Sequence, residues 1–176
     1  MQPKHNKQLE EPVIREAQPE DAEKLIAYLN QIGGESDNLS FGAEGLPITV
    51  EGERAYLQRV LEEPRSVMYC AWKDGELVGN GCLSGMTRRM SHRAELSVSV
   101  AKKEWNSGIG SMLMEALIRY AGNNGIELLN LVVRRDNARA IHLYEKFGFR
   151  HIGTSPAYFK IRGQYVDFDL MYLDLR

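Results

Sequence analysis

Two periods of hydrophobic and polar residues alternate along this chain and lay out its elements. Over residues 19–33, Ala22, Leu25, Ile26, Leu29 and Ile32 recur at helical spacing, behind Pro19 at the first helical position and Glu20-Asp21 in the first turn. Gly33-Gly34 ends that helix, and a polar loop over 34–48 follows. Thr49 caps a second helix carrying Ala55, Leu57, Val60 and Leu61, which Pro64 stops. A third helix, to about residue 121, presents Ile109, Leu113, Ala116, Leu117 and Tyr120 as one stripe. A fourth spans 137–147, with Gly148 as its left-handed cap. Runs at 13–17, 67–72, 76–83, 94–100, 127–133, 149–152 and 164–173 read as strands. Asp74-Gly75 predicts a tight hairpin turn whose register pairs Cys70 with Gly79, and Ser155-Pro156 falls in a loop. This order predicts an α/β fold: a mixed, mostly antiparallel central sheet with a parallel central βαβ unit and flanking helices.

Composition narrows the class. A chain of 176 residues, 43% of them hydrophobic, suits one domain with a proper core; we expect it over 13–176, behind a disordered lead-in over 1–12. A net charge of -2 argues against a nucleic-acid partner. No apolar run approaches the roughly 18 residues of a membrane span, and the first residues lack the apolar core of a signal peptide. In the hairpin register Cys82 lies three residues past the partner of Cys70. That is about 10 Å of strand, beyond the ~7 Å that a disulfide bridges. Two free thiols and a reducing, cytoplasmic setting are therefore expected. The four histidines are scattered without ligand spacing, so no metal is expected.

The candidate chemistry begins at Val98–Gly110, reading V-S-V-A-K-K-E-W-N-S-G-I-G. A strand runs into a polar loop, and Gly108 and Gly110 open an amphipathic helix. Glycines let backbone approach a ligand closely, and the N–H groups of a helix start hold anions, so the turn is a phosphate cradle. A dinucleotide fingerprint needs a third glycine where Leu113 stands, and a P-loop needs Lys-Ser/Thr where Ser111-Met112 stands. Both readings fail, and a lone G-x-G also fits an ordinary strand-to-helix turn.

About thirty residues on, the buried run Leu128–Val133 precedes N-A-R-A-I-H-L-Y-E-K-F-G-F at Asn137–Phe149. With the G-I-G turn, and with Y-V-D-F-D-L-M at Tyr165–Met171, this pattern resembles the GNAT superfamily of acyl-CoA-dependent N-acetyltransferases over about residues 13–176. The resemblance implies acetyl-CoA as co-substrate. Its pantetheine arm would lie along the backbone of Leu96, Val98 and Val100, and its pyrophosphate on Asn106, Ser107, Gly108, Ile109, Gly110 and Ser111. Asn137 and Ala140 would flank the cofactor, and Tyr144 would protonate the departing thiolate. Asn137 also suits an N-cap, and Tyr144 also suits a core aromatic. The family usually has Arg or Gln where this chain has Trp105, and often a basic residue at Ser107.

Acyl transfer needs a neutral amine, and a lysine-like amine has a pKa of about 10.4, so a base or a desolvating site must take its proton. Glu95 is the best candidate base, acting through water; His92 is a weaker one. Glu95, Ser97 and Ser99 suggest a polar face opposite Leu96, Val98 and Val100. Glu35, Asp37 and Glu44 in the first loop offer negative charge to a cationic acceptor, although loop acids are commonly just solvated. Tyr158, Phe159 and Tyr165 offer packing for an acceptor or a second subunit, and relatives commonly form homodimers. The expected activity is acetylation of a small primary amine, such as an amino acid or polyamine. A protein or peptide acceptor and a non-catalytic acyl-CoA sensor are the alternatives, and a cofactor site that has decayed, with Trp105 as its sign, is a further one.

Overall fold

The computed structural model describes residues 11–176, so residues 1–10 of the expected lead-in lie outside the described residues. The strands are β1 (Val13–Glu16), β2 (Val67–Lys73), β3 (Glu76–Gly85), β4 (Arg93–Val100), β5 (Leu128–Arg134), β6 (Arg150–Ile161) and β7 (Gln164–Asp174). The helices are α1 (Ala22–Gly33), α2 (Val50–Glu62), α3 (Ile109–Asn123) and α4 (Ala138–Lys146). One seven-stranded sheet runs β1-β2-β3-β4-β5-β7-β6. Only β4 and β5 pair in parallel; every other neighbouring pair is antiparallel. The expected mixed α/β sheet with a parallel central βαβ unit is the fold observed. No helix among the described residues is long and apolar enough to cross a membrane.

Strand alternation sends the two sets of side chains into two cores. Ala94 and Leu96 of β4 join Leu129, Leu131 and Val133 of β5 under α3, packed on Met114 and Leu117. On the opposite face Met68, Cys70 and Cys82 meet Leu25, Tyr28 and Leu57 of α1 and α2. The caps behave as their residue types require: the Thr49 hydroxyl accepts the Gly52 N–H at 3.0 Å, and Gly148 takes φ +90° behind α4.

Two local readings are corrected. Cys70 pairs with Asn80, not Gly79, because the β2–β3 register shifts by one residue between Ala71 and Trp72. Val78 is the extra residue, and its carbonyl accepts the Ala101 N–H at 2.9 Å, which ties the bulge to the end of β4. Cys82 then lies two residues past that partner, still about 8 Å away by strand geometry, and both thiols are free. The second correction concerns Ser155-Pro156, which falls inside a twelve-residue β6 rather than in a loop. β6 is the sheet edge, and its pairing with β7 shifts between Ser155 and Phe159. An edge bulge asks no N–H of Pro156, so a strand tolerates it there.

The feature that positions the site is a short ladder. β4 and β5 pair over Arg93–Leu128, Ala94–Leu129 and Glu95–Asn130 and then part. Beyond that point β4 stays paired to β3 up to Val100, and β5 stays paired to β7 up to Arg134. The middle of the sheet therefore opens as a wedge.

Candidate active site

The wedge leads into a cleft of about 430 Å³ between the end of β4, the first turn of α3 and one face of α4. Val98, Val100, Asn106, Ser107, Gly108, Gly110, Ser111, Asn137, Ala140 and Tyr144 all line it. Two of the expected cofactor residues do not. Ile109 is buried beneath the turn, and Leu96 packs in the core under α3, so each presents only backbone toward the opening.

The turn has the geometry of an anion site. Asn106 and Gly108 both adopt left-handed backbone, at φ +63° and +90°. A side chain on Gly108 would meet no atom within 4 Å, so the space in front of it is open, yet its conformation disfavours any L residue. A Cβ on Gly110 would meet Leu143 Cδ2 at 3.1 Å, which explains glycine there by packing against α4. The N–H groups of Gly108, Ile109, Gly110 and Ser111 have no acceptor among the described residues. These are the four orphan donors at the start of a fifteen-residue helix, at its positive dipole end. Ser107 differs from its neighbours: its N–H and hydroxyl both donate to the Glu104 carbonyl, at 3.3 and 2.6 Å. That residue shapes the turn from within.

Side-chain charge, missing from the turn itself, comes from α4. Trp105 donates its indole N–H to the Val100 carbonyl at 2.9 Å, which fixes the ring at the cleft wall. The guanidinium of Arg139 stacks over that ring at 3.6 Å. Seven residues along α4, Lys146 donates to the Ser111 hydroxyl at 3.2 Å. Residues seven apart share a helix face, so α4 brings two cations to the mouth of the anion site. Sequence reasoning missed both; the only signal was the i, i+7 spacing of two basic residues inside the N-A-R-A-I-H-L-Y-E-K segment.

Tyr144 lines the cleft, in contact with Phe149 at 5.9 Å between ring centroids and only 6% exposed. Its hydroxyl has no protein partner among the described residues, and burial pushes its pKa up to about 12. The phenol therefore stays protonated at neutral pH. Asn137 does its capping work, its side chain accepting the Ala140 N–H at 3.3 Å while it also lines the cleft.

Glu95 and Ser97 are exposed on the other face of the sheet, while Ala94 and Leu96 are buried under α3. Glu95 stands at the last paired rung of the wedge. Tyr144 lines the cleft, whereas Glu95 lies on the opposite face and is not among the residues lining it. His92 sits before β4 at the closed end, its carbonyl accepting the N–H groups of Glu127 and Leu128 at 2.8 and 3.2 Å. The loop acids are already engaged. Glu35 accepts the Lys102 N–H at 2.7 Å, Asp37 is ion-paired with Arg162, and Glu44 accepts the Gly42 N–H at 2.9 Å.

Comparison with known proteins agrees with this geometry. Residues 37–149 match the model of the Acetyltransferase (GNAT) family. The chain is 30% identical over 161 residues to the L-amino acid N-acetyltransferase AaaT of Escherichia coli (strain K12), covering 90% of this chain and 95% of that protein. It is 24% identical to the L-methionine sulfoximine/L-methionine sulfone acetyltransferase of Pseudomonas aeruginosa (strain PAO1), over 92% of this chain and 94% of that one. Its fold matches the crystal structure of a GNAT-family acetyltransferase from Streptococcus pneumoniae with a TM-score of 0.90 and 31% identity, over 94% of this chain and 100% of that chain. With a wedged sheet, an anion cradle at α3 and the family match over most of its length, the chain belongs to the GNAT acetyltransferase family and is an acyl-CoA-dependent acetyltransferase.

Proposed function

We propose that this enzyme moves an acetyl group from acetyl-CoA directly to the primary amine of a small molecule, with amino acids as the foremost acceptor class. The observation that carries the first half is the set of four unpaired N–H donors at the start of α3, beside a cleft that Tyr144 also lines. Support for the acceptor class comes from the two amino-acid-acetylating relatives, each covered over more than nine-tenths of its length.

Acetyl-CoA supplies an activated thioester. The turn holds its pyrophosphate through the unpaired N–H groups of residues 108–111, and Arg139 and Lys146 add charge from α4. The β5-side backbone edge of β4 beyond Glu95 orients the pantetheine arm and polarises the thioester carbonyl. Glu95 takes the amine proton through water from the open face. Tyr144 gives its proton to the thiolate from the cleft side. With the two roles on opposite faces, the amine attacks across the gap, and the transfer needs no enzyme nucleophile.

The decisive experiment is thiol release from acetyl-CoA, screened over amino acids, polyamines, aminoglycosides and short peptides, with calorimetric titration of acetyl-CoA alongside. Turnover confined to amino acids is the expected result. Tight binding without turnover on any amine would replace this reading with a sensor. The same proposal includes a cytoplasmic setting, in keeping with the two free thiols, and a homodimer. Tyr158 and Tyr165, 45% and 67% exposed near the β6–β7 turn, are the support for the second subunit. A solution mass of one chain, 20.0 kDa, would remove the dimer.

A further inference from the structure

Cross-strand partners share a face, so the registers lay out the open side of the wedge row by row. Glu95, Asn130, Tyr172 and Arg150 form one row across β4, β5, β7 and β6. The next row is apolar, with Val132 and Leu170 side by side and Gly153 beyond. α1 and α2 cover this face over β2 and β3. The part over β5 and β7 is left open, and Val132 is 41% exposed there.

Arg93 stands two rungs below the polar row, opposite Leu128, and reaches forward into it. Its Nε and Nη2 donate to the Asn130 Oδ1 at 3.0 and 2.8 Å. Asn130 is neutral, so the guanidinium is fixed in place with its charge uncompensated. Among the arginines held by hydrogen bonds to another side chain, Arg15, Arg134, Arg162 and Arg176 each bind an aspartate, whereas Arg93 binds a neutral amide and has no carboxylate partner among the described residues. Glu95, on the same strand face two residues on, is likewise without an ion pair there. A held cation and a free carboxylate thus flank the point where β4 and β5 part, and an apolar row lies beside them.

From this arrangement we propose that Arg93, positioned by Asn130, binds the carboxylate of the acceptor, so that the site selects free α-amino acids. The inference rests on the amino-acid reading above and says how the chain enforces it. An α-amino acid carries its amine and carboxylate on one carbon. It places the first toward Glu95 and the gap, the second on the uncommitted N–H donors of Arg93, and its side chain over Val132 and Leu170. Polyamines and lysine side chains bring no carboxylate, and their extra positive charge meets an unpaired guanidinium. The same group that attracts one class repels the other.

Initial rates of thiol release test this, comparing L-phenylalanine with phenethylamine, L-serine with ethanolamine, and spermidine as a carboxylate-free polycation. The wild-type enzyme is expected to favour each amino acid over its decarboxylated partner. Arg93→Met should raise KM for the amino acids by about 10- to 100-fold, the range for losing a charged hydrogen bond. KM for the decarboxylated amines should stay within about twofold, as should acetyl-CoA affinity. Arg93→Lys, which keeps the charge and the fold but not the fork, should fall between. Asn130→Ala should move the same KM values in the same direction and leave the amines alone, which a merely structural loss would not do. If the wild type acetylates amino acids and both Arg93 variants shift amino acid and amine equally, or neither, Arg93 is no anchor and the amino-acid reading stands. A wild type that prefers spermidine or the decarboxylated amines overturns both.

Discussion

Tyr144 is held where a phenol keeps its proton. Apolar burial raises its pKa to about 12, so the hydroxyl is a donor across the whole neutral range. Tyr144→Phe should cut turnover roughly 10²-fold, in line with the loss of a general acid, while acetyl-CoA affinity measured by calorimetry is nearly unchanged. Its titration should also leave the rate level between about pH 8 and about pH 10, well below the raised pKa. An unchanged rate in the phenylalanine variant would return Tyr144 to the core. A second buried residue makes the opposite case. Glu53 on α2 is 4% exposed, and desolvation raises its pKa without a hydrogen-bond or ion-pair partner among the described residues. The unfolded carboxyl releases its proton first, so the folded chain binds more protons in the interval between the two values. Stability is therefore full below the ordinary carboxylate range and falls as pH rises through the raised value. Glu53→Gln should raise Tm at neutral pH by about 2–4 °C, the shift that about 1 kcal/mol gives a chain of this size. That gain should disappear near about pH 4. Destabilisation at neutral pH would show that the carboxylate is held by something other than packing.

At the scale of elements, α4 takes over a task that the turn before α3 leaves undone. Trp105 brings no charge to the turn, yet its ring is the platform on which Arg139 stacks. Arg139→Ala should weaken acetyl-CoA binding by about 10-fold, the loss of one charge-assisted contact. Trp105→Leu should follow it by releasing the guanidinium. Wild-type affinity in both variants would take α4 out of phosphate recognition. This division of labour shows what could be read from residues alone. The G-I-G turn, the Thr49 and Asn137 caps and the Gly148 terminator are local, and local chemistry prints itself in sequence. The Arg139–Trp105 stack joins residues on separate elements, and no spacing within either one announces it. The β2–β3 bulge escaped for a similar reason, since the carbonyl of Val78 is claimed by Ala101 from a different strand. Pro156 misled because a proline reads as a strand breaker unless its strand is known to lie at the edge.

For the molecule as a whole, the loop between α1 and α2 is tied across the sheet by long-range contacts. Asp37 pairs with Arg162 at the β6–β7 turn, and its carbonyl accepts from Arg134 Nη1 at 3.2 Å. Asp37 is thus spent on holding that loop to the far end of the sheet. Arg162→Ala should loosen this tie. We expect KM for the acceptor to rise about two- to fivefold, as befits one exposed ion pair, with acetyl-CoA affinity untouched. Equal changes in both would mean that the loop also supports the cleft. The wedge itself has a wider consequence. Two neighbouring strands in the middle of a sheet run on without each other, so each keeps a bare interior edge where a pantetheine amide can dock. The sheet is short of hydrogen bonds at that gap, and in the binding mode proposed above its consumable partner supplies them. Its resistance to unfolding then rises with the logarithm of free acetyl-CoA above the dissociation constant. A cell rich in acetyl groups would hold this enzyme in a sturdier form than a starved one, so its lifetime would track the supply of what it spends.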